Sequence, residues 1–568
     1  MNKSISLKSL ARKSATWLVA AAMTLALAGC AHLPESGSIQ DGPEIQAGTS
    51  SDYLYYSPSS PEDGMTQSQV LTGFLNAATG PQNDFAIARE FLSPEISANW
   101  TPNKEVLIQQ GSLSTSWGPG ETATVNIAVS ATVDADGHYR VEPSGTQRVL
   151  NYSFAKVKGQ WRISSAPNAV VLIRPVFDVI YHAYSLYFFD HGFNYLVPDL
   201  RWFPSRTSTA TRLVAAVIQG PSTWLSGAVE TTMPVGTKLA IDAVTVEKDV
   251  AQVDLNSVAL QSSQSRRQYF KAQLLATLRQ IAGVNRVQIL IDRSPQKISD
   301  YVPASAASKA LAPVVLSDGQ LRQVSSPSTS QLTSASKYAT QLGASQFALS
   351  ADLGSLALKT PAGIYQVQLG QVGAVPVLAD SRQQMLDPKF DRRGFLWTTA
   401  KQANGLIQVK PPAGEPLWIR ASWLKDARVG DFALSAEGSR IAFTVQRAGH
   451  ATHIEIGAVI RNRAGVPIGI GPAYPLKDSG GIPRSLDWSG ENQLVALMSA
   501  PDGQTSVTTF SIGGDFKVLG QIQGGVRVIA GDSGSNVYVI DKDGSLLQYR
   551  GYAWNPVAHR VDAAHMVN

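Results

Sequence analysis

The sequence predicts a multidomain protein with two α+β domains followed by an all-β propeller of five or six blades. Its 568 residues exceed what one hydrophobic core supports, and a prior of about 150 residues per domain suggests three or four units. In the N-terminal half, runs with helical spacing alternate with runs of period two, as in α+β domains. In the C-terminal half, glycine turns before apolar strands recur at a near-constant interval, which is typical of propeller blades.

The N-terminus has the layout of an export signal. Basic residues precede an apolar run, WLVAAAMTLALA, which covers residues 17–28. The run has about a dozen residues, whereas a helix that crosses a bilayer needs about 20. Residues 1–29 are therefore predicted to be a signal peptide and not a permanent membrane span. The basic residues are Lys3, Lys8, Arg12 and Lys13.

The signal ends in Leu27-Ala28-Gly29-Cys30, which resembles the lipobox of bacterial lipoproteins. The resemblance implies that the Cys30 thiol takes a diacylglyceryl group, with acyl chains such as palmitate, and becomes the first mature residue. Cys30 is the only cysteine, so the chain forms no internal disulfide and has no cysteine metal site. Two acyl chains make a stable anchor, which predicts a protein on the outer face of the cell membrane. The alternative is a secreted protein that is cut nearby and keeps an idle thiol.

Residues 30–55 are rich in Gly, Ser, Pro and acidic residues and show no apolar period. They are predicted to be a tether that lifts the body off the membrane. The net charge of +5 is spread thinly over the whole length, so no basic tract indicates a nucleic-acid partner.

Residues 56–166 form the first predicted α+β domain. Apolar residues recur at helical spacing up to Leu92, and the period changes to two at residues 122–133 and 147–157. This order of helices and antiparallel sheet resembles the NTF2-like accessory domains. Asp134-Ala135-Asp136-Gly137 could begin a calcium loop, but the glutamate required at the twelfth position is absent, so we expect a hairpin turn there.

Residues 167–310 form the second predicted α+β domain, which carries sharper local patterns. Together these patterns resemble the GerMN domain, a family of extracytoplasmic modules first noted in spore-germination proteins. The family supplies no catalytic residues to carry over. The patterns are a helix stopped by Gly220-Pro221, then Pro234-x-Gly236-Thr237, Val253-Asp254-Leu255 and Gln273-Leu274-x-x-Thr277-Leu278.

Residues 311–568 form the predicted propeller. One blade cannot cover its own apolar faces, whereas a ring of blades packs each face against a neighbour. Similar hairpins at Asp318-Gly319 and Asp543-Gly544 predict that the two ends of this region share the ring closure. The turn glycines are separated by 40, 44, 52 and 44 residues, and we expect them to have a positive φ and no other role. They are Gly354, Gly394, Gly438, Gly490 and Gly534.

Linker-like composition separates the second domain from the propeller. Serine, proline and alanine dominate residues 294–313, and a second such stretch follows at residues 325–336. The sequence therefore predicts that a fragment ending before about residue 311 folds without the ring.

No catalytic motif is recognisable in the sequence. HExxH and G-x-S-x-G are absent, and no spacing of carboxylates nominates an acid and base pair, so the chain is predicted not to be an enzyme and to need no cofactor. His450 and His453 would need a third ligand to hold a metal ion, so a surface hairpin is expected there and no metal site is predicted.

Two surface features remain open at this stage. Basic residues on the helix of the second domain could meet anionic lipid or a cell-wall polymer, or could form an ordinary solvated face. The aromatic run at residues 184–189 could be buried between the first two domains or exposed to a partner. The basic residues are Arg266, Arg267, Lys271 and Arg279.

The complete arrangement resembles the LpqB family of actinobacterial lipoproteins. Val197-Pro198-Asp199, Arg201-Trp202-Phe203-Pro204 and Gly220-Pro221-Ser222 are local patterns of that family. The resemblance implies an accessory of an MtrAB-type two-component system that acts on the extracytoplasmic domain of the sensor histidine kinase, with effects on cell wall and division. Two alternatives are a module that binds cell-wall glycan and a cryptic propeller hydrolase with clustered carboxylates in its channel.

Overall fold

The structure is a computed structural model that describes residues 58–205, 208–305, 312–325, 328–531 and 536–567. The predicted signal peptide at 1–29, the tether at 30–55, Cys30 and Gly534 lie outside these residues. In the described ranges, every helix is too short or too polar to cross a membrane.

The first domain contains three helices and a six-stranded sheet. The first helix begins with a capping box, in which the Thr66 hydroxyl accepts from the Gln69 amide and the Gln69 side chain accepts from the Thr66 amide. The helices are α1 (Gln67–Ala77), α2 (Ala86–Glu90) and α3 (Pro94–Asn99). The strands are β1 (Glu105–Gly118), β2 (Thr122–Asp134), β3 (Tyr139–Val141), β4 (Gln147–Val157), β5 (Gln160–Ser165) and β6 (Val170–Ile173).

The sheet has the strand order β5-β4-β2-β1-β6, with β3 paired to β2. The inward residues of β2 are fully buried because its alternating apolar side chains face the helices. Strand β6 runs parallel to β1, so this sheet continues past residue 166, the predicted end of the domain.

The second domain has two small sheets and two main helices. It follows the short helix α4 (Arg174–Ile180). One sheet is β8-β7-β9, from β7 (Tyr181–Asp190), β8 (Leu196–Pro204) and β9 (Val229–Glu230). The other sheet is β10-β11-β12-β13, from β10 (Thr245–Glu247), β11 (Val250–Leu255), β12 (Arg286–Ile291) and β13 (Ser294–Pro295). The helices are α5 (Thr209–Gln219) and α6 (Gln264–Leu278).

Helix α6 packs against both sheets of this domain. Gln273, which is buried, donates to the Tyr187 carbonyl, and Gln280 next to the helix donates to the Ser185 carbonyl. These amides satisfy backbone groups of β7 that would otherwise be buried without partners. The predicted helix stop at Gly220 is observed, with a φ of 111°.

The described residues of the C-terminal region form six sheets with four or five strands each. Sheet one has β14 (Val314–Ser317), β15 (Gln320–Ser325), β16 (Ser328–Gln331) and the last strand of the chain, and helix α7 (Thr333–Leu342) follows it. Sheet two has β17 (Gln346–Leu349), β18 (Ser355–Thr360), β19 (Gly363–Gln368) and β20 (Val377–Asp380). Sheet three has β21 (Lys389–Phe390), β22 (Leu396–Thr398), β23 (Leu406–Lys410) and β24 (Leu417–Arg420).

The fourth sheet has an outer strand in two pieces. It contains β25 (Arg428–Leu434), β26 (Arg440–Gln446), β27 (His453–Arg461), β28 (Pro467–Ile470) and β29 (Tyr474–Pro475). Sheet five has β30 (Ile482–Trp488), β31 (Gln493–Ser499), β32 (Thr505–Ser511) and β33 (Phe516–Ile522). Sheet six has β34 (Gly525–Ala530), β35 (Val537–Asp541), β36 (Leu546–Arg550) and β37 (Ala553–Ala558).

The ring closes through both ends of the region, as the paired hairpins predicted. The last strand, β38 (Ala563–His565), pairs antiparallel with β14 and is the innermost strand of the first sheet. Apolar side chains of sheets one and six meet in one cluster that includes Val315, Ile529 and Ala564. The sequence allowed five or six blades, and the described residues supply six sheets.

The four repeated glycines within the described residues lie between the first and second strands of successive sheets. Gly394, Gly438 and Gly490 have the expected positive φ. At Gly354 the expectation is wrong, because the preceding Leu353 takes the left-handed conformation with a φ of 58°.

The second domain packs directly on the ring. One hydrophobic cluster contains Leu186 and Leu225 of that domain together with Ile456 and Trp488 of the ring. Tyr187 donates to Glu491 at 2.7 Å, and the Trp202 indole donates to the Gly513 carbonyl at 2.9 Å. The two regions therefore share buried apolar surface.

The chain between the second domain and the ring is held along part of its length. Lys271 of α6 donates to the Ile298 carbonyl at 2.9 Å and pairs with Asp300 at 2.7 Å. The Tyr301 hydroxyl donates to the Phe193 carbonyl at 2.6 Å. Residues 296–301, which composition marked as linker, therefore pack against the domain that precedes them.

Candidate functional site

The channel of the ring is lined by charged residues from opposite sheets. Asp387 lies just before β21, Asp431 is on β25, Asp487 is on β30 and Arg527 is on β34. Clustered carboxylates in this position were the discriminating feature of the hydrolase alternative, so their partners decide what the channel can do.

Arg527 crosses the channel and binds three other sheets. Its guanidinium pairs with Asp387, lies 3.8 Å from an Asp431 oxygen and donates to the Gln346 amide oxygen at 2.8 Å. Lys359 donates to the second oxygen of Asp387 at 2.9 Å. The positive groups thus compensate the carboxylates at this end of the channel.

The remaining carboxylate oxygens bind backbone amides of the next sheet. Asp431 accepts from the Leu486 amide at 3.2 Å, and Asp487 accepts from the Ala530 amide at 3.1 Å. Each of these aspartates therefore ties the inner strand of one sheet to that of its neighbour, which is a structural role.

The pKa values of the channel groups follow from burial and charge. Burial alone would raise the pKa of Asp387, but Arg527 and Lys359 outweigh it and hold that pKa below its ordinary value. For Asp487, burial prevails over nearby Lys389 and raises the pKa. Burial also lowers the pKa of His565, which is on β38, to about 3, so its ring is neutral at pH 7.

A cavity at the other end of the channel, lined by Lys389, Asp487 and His565, has a volume of about 20 Å³, enough for one or two water molecules. The channel carboxylates are also absent from the metal-binding clusters found among the described residues. In this arrangement the described channel carboxylates bind Arg527, Lys359 and backbone amides.

A large groove lies where the two α+β domains meet the ring, and we call it the three-domain groove. Its volume is about 1260 Å³. Residues 134–144 of the first domain form one wall, and residues 472–480 of the ring form another. Leu200, Trp224 and Ile512 contribute to its apolar surface.

Two of the residues that line the groove are a stacked aromatic pair. The rings of Trp224 and Tyr474 are stacked with centroids 5.1 Å apart, which joins the second domain to the ring. Burial raises the pKa of Tyr474 to about 12, so its hydroxyl stays protonated at pH 7.

A buried ion pair ties the domains together at the edge of this groove. Asp199 and Arg201 are almost fully buried and lie 2.8 Å apart. Asp199 accepts from the Ser222 amide at 2.8 Å, and Arg201 donates to the Asp136 carbonyl of the first domain at 2.9 Å. The local patterns at 197–204 and 220–222 therefore form one contact.

The Asp134-Ala135-Asp136-Gly137 segment is a hairpin turn between β2 and β3, as expected. Asp134, Asp136 and His138 are the one group with metal-like spacing among the described residues. Asp134 accepts from the amides of Asp136 and His138 and pairs with the His138 ring at 2.9 Å. Burial tends to raise the pKa of Asp134, but its hydrogen bond to His138 and the charge of that ring lower it overall. The carboxylate oxygens of Asp134 therefore bind groups within the hairpin turn itself.

His450 and His453 lie at the hairpin between β26 and β27, as expected. The His453 ring lies 2.8 Å from Glu455, which also binds Arg447 at 2.7 Å. Glu455 and Arg447 thus hold the His453 ring in place.

The basic residues of α6 do not form a free stripe. Arg266 lies over the Phe193 ring at 4.5 Å, Arg267 donates to the Ser262 carbonyl, and Lys271 is held by Asp300. Among these four residues, only Arg279 is exposed without a described side-chain contact. The aromatic run at 184–189 is buried in β7, between α6 and the ring.

Sequence reasoning missed Arg527 and the three-domain groove. Arg527 carries no local pattern, and the groove is assembled from segments of three regions. The sequence shows the local patterns that contain Asp199 and Ser222, but it does not show that these two residues form hydrogen bonds with each other.

Three family models match consecutive parts of the chain. "Lipoprotein LpqB, N-terminal domain" matches residues 60–178, "Sporulation and spore germination" matches 185–297, and "Lipoprotein LpqB beta-propeller domain" matches 319–565. These matches confirm the multidomain fold class with a GerMN-type domain and a propeller.

Curated relatives named lipoprotein LpqB cover most of the chain. The Cutibacterium acnes protein is 25% identical over 96% of this chain and 98% of its own length. The Streptomyces coelicolor protein is 26% identical over 89% and 85%, and the Bifidobacterium longum protein is 31% identical over 40% and 41%.

Solved structures resemble separate regions of the chain. The first GerMN domain of GerM from Bacillus subtilis has 21% identity and a TM-score of 0.19, and covers 22% of this chain and 94% of that one. TolB from Acinetobacter baumannii has 13% identity and a TM-score of 0.35, and covers 57% of this chain and 80% of that one.

Proposed function

The chain belongs to the LpqB lipoprotein family, and from that premise we propose that it is a lipid-anchored, extracytoplasmic binding protein that regulates a sensor histidine kinase. The kinase would be of the MtrAB type, and the contact would involve its extracytoplasmic domain. The protein would act without catalysis and without a cofactor, and would influence cell-wall and division responses.

The filled channel is the observation that carries a binding role. Arg527 occupies the space between Asp387 and Asp431, and a cavity of about 20 Å³ lies at the other end of the channel. A propeller hydrolase needs carboxylates that are open to substrate or metal, so this arrangement favours contact over chemistry. The shared core of the second domain and the ring supports one rigid body with a stable surface for a partner.

Lipidation of Cys30 is the proposed anchor. The chain has no other thiol, and the relatives are named lipoproteins. We expect Cys30→Ser to abolish incorporation of labelled lipid and to remove the protein from the membrane fraction. Cys30→Ser combined with Ser36→Cys is the matched control, because it restores a thiol outside the lipobox and should also fail. Acylation of either variant would contradict the anchor.

The regulatory role is tested by kinase output. Purified sensor kinase in lipid vesicles is assayed for phosphotransfer to its response regulator, with and without the lipidated full chain. We expect the chain to change this output, with a weaker effect for the Cys30→Ser protein, because confinement of both partners to one membrane raises their effective concentration. Unchanged output would reject the kinase role. Retention of the chain on purified wall glycan would then favour the glycan-binding alternative.

A further inference from the structure

One wall of the three-domain groove carries a free strand edge. Strand β3 pairs with β2 and with no other described strand. The Asp134 amide donates to the His138 carbonyl, which fixes the phase of this ladder. Because bonded pairs alternate along an antiparallel ladder, the N–H and C=O groups of Tyr139 and Val141 point away from β2. Such an edge is a template for another strand.

The size of the groove fits a segment of a macromolecule. Pockets for small molecules measure about 300–1,000 Å³, and this groove measures about 1260 Å³. It runs between the β3 wall and residues 472–480, over the apolar surface of Leu200, Trp224 and Ile512. An extended chain can bind there through main-chain hydrogen bonds on one side and apolar contacts beneath.

The charges that line the groove favour a basic ligand. Ion pairs within the protein compensate Asp134, Asp199 and Lys477. The other charged lining residues form no ion pair within the described residues, and carboxylates outnumber guanidinium groups by three to one. They are Asp136, Glu142, Asp478 and Arg140.

We propose that the three-domain groove binds an extended, basic segment of a partner protein, which adds to the free edge of β3 as a further strand. This inference rests on the proposed binding role and names the surface and the chemistry of its ligand. The free edge favours a polypeptide over a glycan, because its alternating donors and acceptors match the spacing of a peptide backbone.

The strand edge is tested with Val141→Pro in the full chain. Proline removes the outward N–H of Val141 but leaves the bonds between β3 and β2, and Val141→Ile is the matched control that keeps the N–H. The probe is a library of peptides of about six to ten residues, with members that carry Lys or Glu at the same positions. We expect Lys peptides to bind, and Val141→Pro to weaken them about tenfold while Val141→Ile does not.

Hydrogen exchange locates the bound peptide if the proline variant folds poorly. In the unmodified chain, bound Lys peptide should slow exchange of the Tyr139 and Val141 amides. Absence of peptide binding, preference for Glu peptides, protection elsewhere, or binding of peptide-free wall glycan in this groove would overturn the inference.

The preference for a basic peptide is tested at Asp478, in the wall formed by residues 472–480 of the ring. Asp478 and Asp502 are both exposed, and each accepts a hydrogen bond from the amide two residues later. Asparagine can keep that bond, so Asp478→Asn and Asp502→Asn each remove one exposed charge from the same kind of turn. Only Asp478 lines the groove. We expect only Asp478→Asn to weaken Lys peptides, and equal effects would contradict the inference.

The same variants separate this inference from the proposed function. If the kinase domain binds the unmodified chain and the Val141→Pro chain equally, the groove inference fails and the kinase role stands. If Lys peptides bind in the groove but the kinase domain does not bind the chain, the kinase role fails and the groove inference stands.

Discussion

At the scale of single residues, charges inside the ring define what the channel can do. Arg527 binds two carboxylates and a side-chain amide from three other sheets. Its side chain is only 17% exposed. Removal of one partner from a buried ion pair leaves the other charge uncompensated, which costs more free energy than the pair itself contributes.

Arg527→Met is therefore expected to lower the free energy of unfolding by about 3 kcal/mol. Methionine keeps much of the side-chain volume, so the loss reports on Asp387 and Asp431. The measurement is chemical denaturation at pH 7, with exposed Arg463→Met as the control. Because Asp387 has a lowered pKa, its stabilising contribution is present above its unfolded pKa and is lost as the pH falls through the folded value. A free energy of unfolding equal to that of the control would show that the ion pairs of Arg527 are not needed for stability.

His565 gives a second pH dependence of known sign. Its folded pKa of about 3 lies below the ordinary value of 6.5, so the unfolded chain binds more protons between these values. The resulting stability is fully present above pH 6.5 and falls as the pH decreases toward 3. We expect His565→Gln to reduce the dependence of the melting temperature on pH over this window. His559→Gln, at an exposed position, should leave that dependence unchanged. Equal slopes for the two variants would contradict a neutral His565 ring in the folded protein.

At the scale of elements, the C-terminal strand matters more than its length suggests. Strand β38 has three residues, but it is the innermost strand of the first sheet and brings the chain ends together. Ala563 and Val567 beside it are buried in a cluster with Leu316 and Phe347. The strand thus completes a sheet and covers apolar side chains of the next one.

A chain that ends at Arg560 is expected to lose the ring closure. The first sheet would keep three strands, and its inner edge would expose unpaired backbone groups. We expect a lower melting temperature and faster proteolysis, measured beside a Tyr552→Ser control at an exposed turn. A truncated chain as stable as the control would mean that the ring does not depend on β38.

At the scale of the whole molecule, the second domain and the ring share one hydrophobic cluster. Linker composition predicted separate folding before about residue 311, but Leu186 and Leu225 share a cluster with Ile456 and Trp488. Hydrophobic burial contributes about 25 cal/mol per Å². Separation of the second domain from the ring would expose this apolar surface to water and lose that contribution.

A fragment of residues 58–310 is therefore expected to bind a hydrophobic dye and to unfold at a lower temperature than the complete body. Addition of the separately purified ring should restore part of the loss, because it covers the same apolar surface. The measurements are dye fluorescence and calorimetry of fragment, ring and mixture. A fragment that is as stable as the complete body and binds no dye would support independent folding.

The sequence by itself determined the local structure. Helical spacing and alternation placed α1, β2 and β4, and the glycine interval identified the repeated sheets, because these patterns arise from backbone geometry within a few residues. Clustered motifs also identified the GerMN-type domain. The exception at Leu353 is local too, since one residue of a turn can take the left-handed conformation in place of its neighbour.

Only the tertiary structure decided which distant residues meet. Arg527 and Gln346 are 181 positions apart, and no periodicity links them. The contact of Asp199 with Ser222 and the three-domain groove likewise depend on how finished elements pack. Packing is governed by the fit and burial of complete surfaces, whereas sequence patterns report the neighbours along one helix or strand. The filled channel and the free edge of β3 were therefore beyond the reach of the sequence.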